Sequence, residues 1–460
     1  MSGLIFLPPL IYLLSLLFVA YWLRDQDRGD GQYFLAGRNI GATPAILSVV
    51  ANETSVATVM IFPAAGFASD FVLLWLCLGY IAGRGLVGWL FMQKLYDNHK
   101  LSIYETIGGS RAGSVPLATA YVLAKYIANG ARFYMAGYAL QQLFGWSIGG
   151  WIVLVAAIVA VYSLTGGIRA VVVTDQIQGS VIYVMGITLC GILIWSLFQN
   201  GSAHQAFVSL RLIDTTANLS NGNYWLTLFL GGMVLSIGTH GADQDMIQRL
   251  LATRDSSKAS RSVFYSGIGA TIVILTYLGI GVLLRETGHS ELDVKSPLVD
   301  YIFRLKEPLL AGCFSVLLLS TGMSSLDSST NSTGAIWKFI FNSKKPGIYW
   351  SVFSLICLVM SALLFSWLGR SDFLTLALGS MSYIHGALIA ILVTYTFFPK
   401  LICPVGIILS ILSGPLATIW SSSWQPVPAW TVQILFSTFM ALLVCLATGW
   451  LNTKLRFSLK

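Results

Sequence analysis

The chain has 460 residues, of which 56% are apolar and only 10% charged, with a mean hydropathy of +0.75. Soluble domains carry about 25% charged residues, so the composition excludes an ordinary soluble domain and implies an all-α polytopic membrane protein, because apolar runs of about 20 residues cross a bilayer as helices. The formal net charge of +8 would suit a nucleic-acid partner, but most of the basic residues lie in loops on one side of the predicted spans, as membrane topology asks, so no nucleic-acid partner is expected.

In chain order, spans are predicted at 4–22, 41–68, 70–95, 115–143, 149–166, 175–198, 225–245, 262–284, 308–338, 349–368, 373–396, 398–421 and 428–450, about thirteen transmembrane helices in a single domain over 1–460. The first is not read as a cleavable signal peptide: it lacks a basic leading region, contains Pro8-Pro9 near its start, and no A-x-A site follows. With the N-terminus outside, eighteen Lys/Arg, Arg249 among them, face the cytoplasm and six face outward. That asymmetry is what the positive-inside rule expects of a plasma (inner) membrane protein with an odd helix count and a cytoplasmic C-terminus. The loops around 199–224 and 285–307 have room for a short helix at most. Six scattered cysteines form no CxxC or Cys/His cluster, so neither a disulfide framework nor a zinc site is expected.

Ionisable residues inside spans are costly and mark function by default. Here they are Glu53, Arg84, Lys125, Arg132, Asp175, Asp243, Asp245 and Asp327. Glu53 sits in SVVANETSVATVMIFP, where Asn52, Thr54, Ser55 and Thr58 cluster ahead of Pro63 and Gly66. Such a run predicts a helix interrupted in mid-membrane, whose freed backbone groups must line a cavity or be covered by protein; the structural alternative is a protonated Glu53 buried against a neighbour. A second interruption is predicted in SIGTHGADQDMIQR, where Thr239 and His240 either face a cavity or end an interfacial helix, and where Asp245 and Arg249 read as an interfacial helix end. These interruptions fall in the second and seventh spans, so 41–198 and 225–396 read as two five-helix units, preceded by an extra helix at 4–22 and followed by two at 398–450. Interrupted segments at matching positions of two halves point to an inverted-repeat transporter.

GMSSLDSSTNS, residues 322–332, places Ser325, Ser328 or Ser329, and Ser332 on one helix face. Two hydroxyls with three carbonyls of an unwound helix would form a weak, reversible site for sodium, a hard cation that prefers oxygen ligands. Serines bonding back to their own helix, or packing as small residues, are the structural alternative. Asp175 either favours the N-terminus of its helix or holds a second cation near the serine face.

Taken together, YFLAGRNIG, VANETSVATVMIFPAAGF, GYIAGR, YETIGGSRAG, LTGGIRAVVVTDQIQG, THGADQDMIQR and STGMSSLDSSTNS resemble, in order, the motif blocks of the sodium–solute symporter family, which contains sodium–glucose, sodium–proline and sodium–sialic acid transporters. The resemblance implies a LeuT-type five-plus-five inverted repeat. It places a sodium ion between the carbonyls of Ala51, Thr54 and Thr321 and the hydroxyls of Ser324 and Ser325, with a second sodium at Asp175, Ser325 and Ser328 as some members have. It implies a substrate site drawn from Glu53, Ser55, Thr58, Arg132, Thr239, His240, Tyr383 and His385. Arg132 matches a family arginine that resembles a carboxylate clamp; the alternative is an ion pair with Glu53. Cys77 stands where the sialic acid branch has glutamine, which argues against sialic acid itself. The expectation is therefore a monomeric, sodium-coupled importer of a small organic solute, with the lipid bilayer and the solute as its partners, no enzyme activity and no organic cofactor. A proton-coupled carrier with Glu53 or Asp175 as the proton acceptor is the rival; a membrane solute sensor is disfavoured because no signalling domain follows LNTKLRFSLK.

Overall fold

A computed structural model describes residues 3–23, 29–97, 100–199, 210–289, 291–368 and 373–458, with the backbone alone over 373–382 and 456–458. Arg24, Arg28, Arg370, Lys460 and the 200–209 part of the first long loop lie outside the described residues. Long apolar runs form helices throughout, and among the described residues β-type pairing is confined to two isolated bridges, Ile40 with Thr253 and Asp214 with Tyr224.

The order begins with α1 (Leu7–Trp22), the short α2 (Asp30–Leu35), α3 (Ala42–Glu53), α4 (Val56–Ser69) and α5 (Leu74–Leu86), which runs on through a wide turn into α6 (Met92–Asp97). The short α7 (Ile103–Ile107), α8 (Arg111–Phe144) and α9 (Ile148–Gln199) follow. Beyond the long loop come α10 (Trp225–Gly241), α11 (Gln244–Leu251), α12 (Ser256–Glu286), α13 (Pro297–Leu305) and α14 (Pro308–Ile340). The chain closes with α15 (Gly347–Leu368), α16 (Phe373–Phe397), α17 (Pro404–Ser422) and α18 (Trp430–Ser458). Among the described residues, eight helical segments are long and apolar enough to cross a membrane unaided, and two bent pairs bring the number to ten if each pair is one span. The bent pairs are α3 with α4, at 69°, and α10 with α11, at 59°; both interruptions fall where the polar clusters predict them. The helix expected at most in the second long loop is α13.

The spans expected at 149–166 and 175–198 form one run, α9, that turns at Gly167 with φ 55° and ψ −150°. That backbone region is essentially closed to residues with a side chain, and a Cβ there would stand 2.4 Å from the Tyr33 carbonyl oxygen. Helix α1 turns Tyr12, Leu16 and Ala20 toward the bundle and leaves Leu10, Leu14 and Phe18 exposed, as a helix with one lipid-facing side does.

Small residues set the closest helix approach, between α4 and α12. A Cβ on Gly66 would lie 2.0 Å from the Leu278 carbonyl oxygen, and one on Gly281 would lie 1.9 Å from the Pro63 carbonyl oxygen. Helix association in lipid depends on such contact, since lipid is as apolar as the side chains. Gly281→Ala is expected to destabilise the protein by about 3 kcal/mol or more, because a backbone oxygen cannot rotate away. Gly191, whose Cβ would meet nothing within 4 Å, supplies the control: Gly191→Ala should leave stability unchanged or raise it by up to about 1 kcal/mol. Thermal unfolding in detergent checks both.

Candidate functional site

Helix α3 stops because its hydrogen-bond ladder is intercepted. Thr54 leaves helical geometry at ψ 91° and Ser55 at ψ 174°. The Ser55 amide donates to Thr58 Oγ1 at 3.2 Å, and the Thr54 hydroxyl turns back onto the Val50 carbonyl at 2.9 Å. Carbonyls at the end of α3, Ala51 among them, are thus released from the helix in the middle of a buried region. Ala51 is fully buried and Thr54 is 3% exposed. Beside the break lies a small cavity, on the scale of a single water, lined by Ser55, Val56, Asn129, Arg132, Thr321 and Ser325 among others.

On α14, Thr321 and Ser324 are fully buried. The Ser325 hydroxyl donates weakly to the Thr321 carbonyl at 3.3 Å, so these two groups face each other at the cavity wall. Ser324 turns instead to α9, donating to Asp175 Oδ1 at 2.6 Å. The expected second group does not assemble around Ser325. Asp175 gathers Ser324 and Ser48 (2.5 Å) rather than Ser325, and its Oδ2 accepts Arg249 Nη2 at 2.8 Å. Ser328 receives Arg249 Nη2 and donates to the Ser324 carbonyl at 2.5 Å. A guanidinium therefore already neutralises the carboxylate proposed for a second cation. Arg249, counted with the cytoplasmic loop in the sequence reading, is fully buried, as is Asp245 at 1% exposure. The reason is that α11 continues the broken span inward instead of ending at an interface. Arg249 Nη1 caps this by donating to the Asp245 carbonyl at 2.6 Å.

Glu53 does not pair with Arg132. Its carboxylate takes Arg84, a fully buried residue of α5 that also donates to Ser266 Oγ at 3.1 Å. His240 Nε2 stands 3.7 Å from the same carboxylate, and His240 Nδ1 lies 3.2 Å from the Ser236 carbonyl. Thr58 is 9% exposed, and its hydroxyl is engaged at the helix start. Arg132 is half-buried, touches Asn129 Oδ1 at 3.4 Å, and leaves its Nε without a partner. His385, at 4% exposure, has both ring nitrogens unpartnered and packs against Gly238, two residues before His240. Thr239 is half-buried beside them, whereas Tyr383 is 37% exposed and falls outside this buried group.

A third polar network locks the second break to the serine helix. Lys125 of α8 reaches Asp243 at 2.9 Å and Asp245 at 2.8 Å. Tyr121 donates to Asp243 at 2.6 Å, Ser329 donates to Asp245 at 2.6 Å, and Ser332 also donates to Asp245. Ser329 and Ser332, two members of the predicted serine face, thus serve α11 and not the cavity. Asp327, on the same helix, accepts Tyr162 of α9 at 2.7 Å and Ser328 Oγ at 3.0 Å.

A model of the Sodium:solute symporter family matches residues 33–339. The human "Sodium/iodide cotransporter" is 25% identical over 272 residues, covering 57% of this chain and 41% of its own. The mouse "Sodium-coupled monocarboxylate transporter 1" is 22% identical over 470 residues, covering 92% of this chain and 75% of its own. The chain spans about two fifths of the length of the first curated relatives it matches. Among solved structures, a substrate-bound outward-open state of a Na+-coupled sialic acid symporter superposes with a TM-score of 0.85 at 18% identity, covering 98% of both chains. At that identity the likeness shows a shared fold.

Breaking a buried ion pair by removing one partner strands the other charge at a cost of about 3–5 kcal/mol. Asp175→Asn and Arg249→Gln should therefore each lower thermal stability in detergent by that order. The double variant should lose clearly less than the sum, because the two substitutions remove one shared interaction.

Proposed function

The chain belongs to the sodium:solute symporter family, and from that premise we propose that it is a sodium-coupled symporter importing a small carboxylate-bearing solute, such as an organic, amino or sugar acid, by alternating access. One observation carries this reading: the small cavity beside the break brings together Ser55 at the start of α4, the Thr321–Ser325 edge of α14, and Arg132. The first two supply oxygens for a hard monovalent cation. The third supplies a planar fork of donors suited to a carboxylate. Among the described residues, Arg84, Lys125 and Arg249 each hold a carboxylate within ion-pair distance and Arg132 holds none, which leaves it available to an anionic solute.

The sodium ligands in this reading are the carbonyls of Ala51, Thr54 and Thr321 with the hydroxyl of Ser325 and, once turned from Asp175, that of Ser324. Solute contacts in this reading are Arg132 and Ser55 at the cavity, with Glu53, Thr58, Thr239, His240, His385 and the more exposed Tyr383 beyond it. The helices divide into five-plus-five units over 41–198 and 225–396, one helix before them and two after. Counting α9 twice across Gly167, together with α8 and α16, gives thirteen spans, N-terminus outside, in the plasma membrane. Each sodium charge moving inward gains about 2.3 kcal/mol per 100 mV. Ion and solute, bound beside the same break, favour the same closed state and so travel together. The proton-coupled rival is weakened because Glu53 and Asp175 each already hold a guanidinium.

In proteoliposomes, uptake of the cognate acid is expected to vanish when choline replaces sodium; undiminished uptake there would defeat the sodium reading. Ser325→Ala should raise the half-saturating sodium concentration roughly tenfold, the loss of about one ligand hydrogen-bond equivalent. Arg132→Ala should weaken solute binding by about 2–5 kcal/mol, as truncating one partner of a buried charge pair does. Arg132→Lys should restore only part, since it keeps the charge and loses the fork. A sodium-dependent thermal-shift screen across organic, amino and sugar acids would identify the solute on which to measure these effects.

A further inference from the structure

The turn between α14 and α15 carries positive charge that the rest of the molecule does not neutralise. Lys338, Lys344 and Lys345 follow one another closely there, and Arg111, the first residue of α8, lies against them. Arg111 donates to the Phe339 carbonyl at 3.3 Å and to the Ile340 carbonyl at 2.7 Å, with its guanidinium 5.6 Å from the Phe339 ring centre. Lys338 turns back on the loop, donating to the Lys345 carbonyl and pairing with Asp30 at 3.0 Å. Among the described residues, Asp30 is the one carboxylate within ion-pair distance of these four cations. Arg111, Lys344 and Lys345 are exposed and hold none. Other basic loops differ: Lys258 pairs with Asp255 at 2.9 Å, and Lys100 with Glu105 at 3.3 Å.

The surface that continues from this charge is apolar. Lys345 Nζ stands 3.9 Å from the Tyr349 ring centre. Phe341, 57% exposed, stacks on Trp350 at 5.0 Å and on Trp337 at 5.6 Å. From Tyr349 along α15, Phe353, Ile356, Met360 and Leu364 are exposed at steps of three and four residues, so they form one stripe on the helix. Tyrosine and tryptophan rings mark the level where headgroups meet acyl chains. A soluble anion would use the cations and leave the stripe, and an uncharged lipid would use the stripe and leave the cations. An amphiphile with an anionic head uses both.

We propose that the α14–α15 turn and the exposed stripe of α15 form a binding site for an anionic glycerophospholipid. Lys344 and Lys345 meet the phosphate, Arg111 stands beside it, and an acyl chain follows Tyr349, Ile356 and Met360. With the N-terminus outside, the site lies in the cytoplasmic leaflet, where anionic lipids attract basic segments. The lipid is thereby attached to the end of α14, the helix whose Thr321 and Ser325 border the cavity. Its binding does not depend on which ion or solute the chain carries.

The test is lipid retention by the full chain, released from nanodiscs of equal phosphatidylglycerol and phosphatidylcholine and weighed by native mass spectrometry. The wild-type chain should retain phosphatidylglycerol in preference to phosphatidylcholine. Lys344→Gln combined with Lys345→Gln should weaken that preference roughly tenfold or more. Lys258→Gln combined with Arg261→Gln, an equal loss of charge in another basic loop, should leave it unchanged. Both double variants alter exposed side chains and should unfold at the wild-type temperature. Equal retention of the two lipids by the wild type would overturn the site. Equal loss in the two double variants would assign the preference to overall charge and overturn it as well. Displacement of phosphatidylglycerol from the wild type by inorganic phosphate would make the turn a site for a soluble anion and overturn the lipid assignment.

Discussion

A charge inside a bilayer must be compensated by another group held at hydrogen-bonding distance, and this requirement organises the molecule. An isolated buried ion costs far more than a domain's net stability. The interior carries Glu53, Asp175, Asp243, Asp245 and Asp327 against Arg84, Lys125, Arg132 and Arg249. The pairs these make are not between neighbours in sequence. Glu53 with Arg84 ties the end of α3 to α5; Asp175 with Arg249 ties α9 to α11; Lys125 with Asp243 and Asp245 ties α8 to α11. Each pair has one member on or beside an interrupted helix. The interruptions, which sacrifice backbone hydrogen bonds, are thus held in place by the strongest side-chain contacts available.

That arrangement explains how a polar stretch such as residues 322–332 survives inside a span. Its side chains divide by direction. Ser325 with the Thr321 carbonyl borders the cavity, Ser324 and Ser328 meet the Asp175–Arg249 pair, and Ser329 and Ser332 hold Asp245. One helix therefore touches both breaks and the cavity at once. In the proposed reading, an ion drawing the α3–α4 break against α14 would shift a helix already fastened to α9 and α11, and occupancy of one site would thereby bias the whole bundle between states.

The fold was legible from composition and from where polar residues interrupt apolar runs. Both breaks lie where Asn52–Thr58 and Thr239–Asp245 predicted them, because freed backbone groups demand local polar sequence and that demand is visible in one dimension. Partner choice was not. Glu53 has three basic residues within the following spans, and nothing in the spacing says that Arg84 reaches it while Arg132 does not. Arg249 was assigned to a loop because it is followed by Arg254 and Lys258; the informative signal was the Asp243, Asp245, Arg249 spacing, which puts the acids and the base on one short helix.

The two interior charges left without an ionic partner have opposite signs and sit on opposite sides of the serine helix. Arg132 faces the cavity and Asp327 faces α1 and α9. With the histidines neutral, the interior acids outnumber the interior bases by one. In the proposed reading, a carboxylate solute at Arg132 would deepen that deficit and the sodium proposed beside it would restore the starting value, so an anion and a cation entering together would leave the interior's charge unchanged. Each would then make the other's binding more favourable, and coupling of this kind is reciprocal.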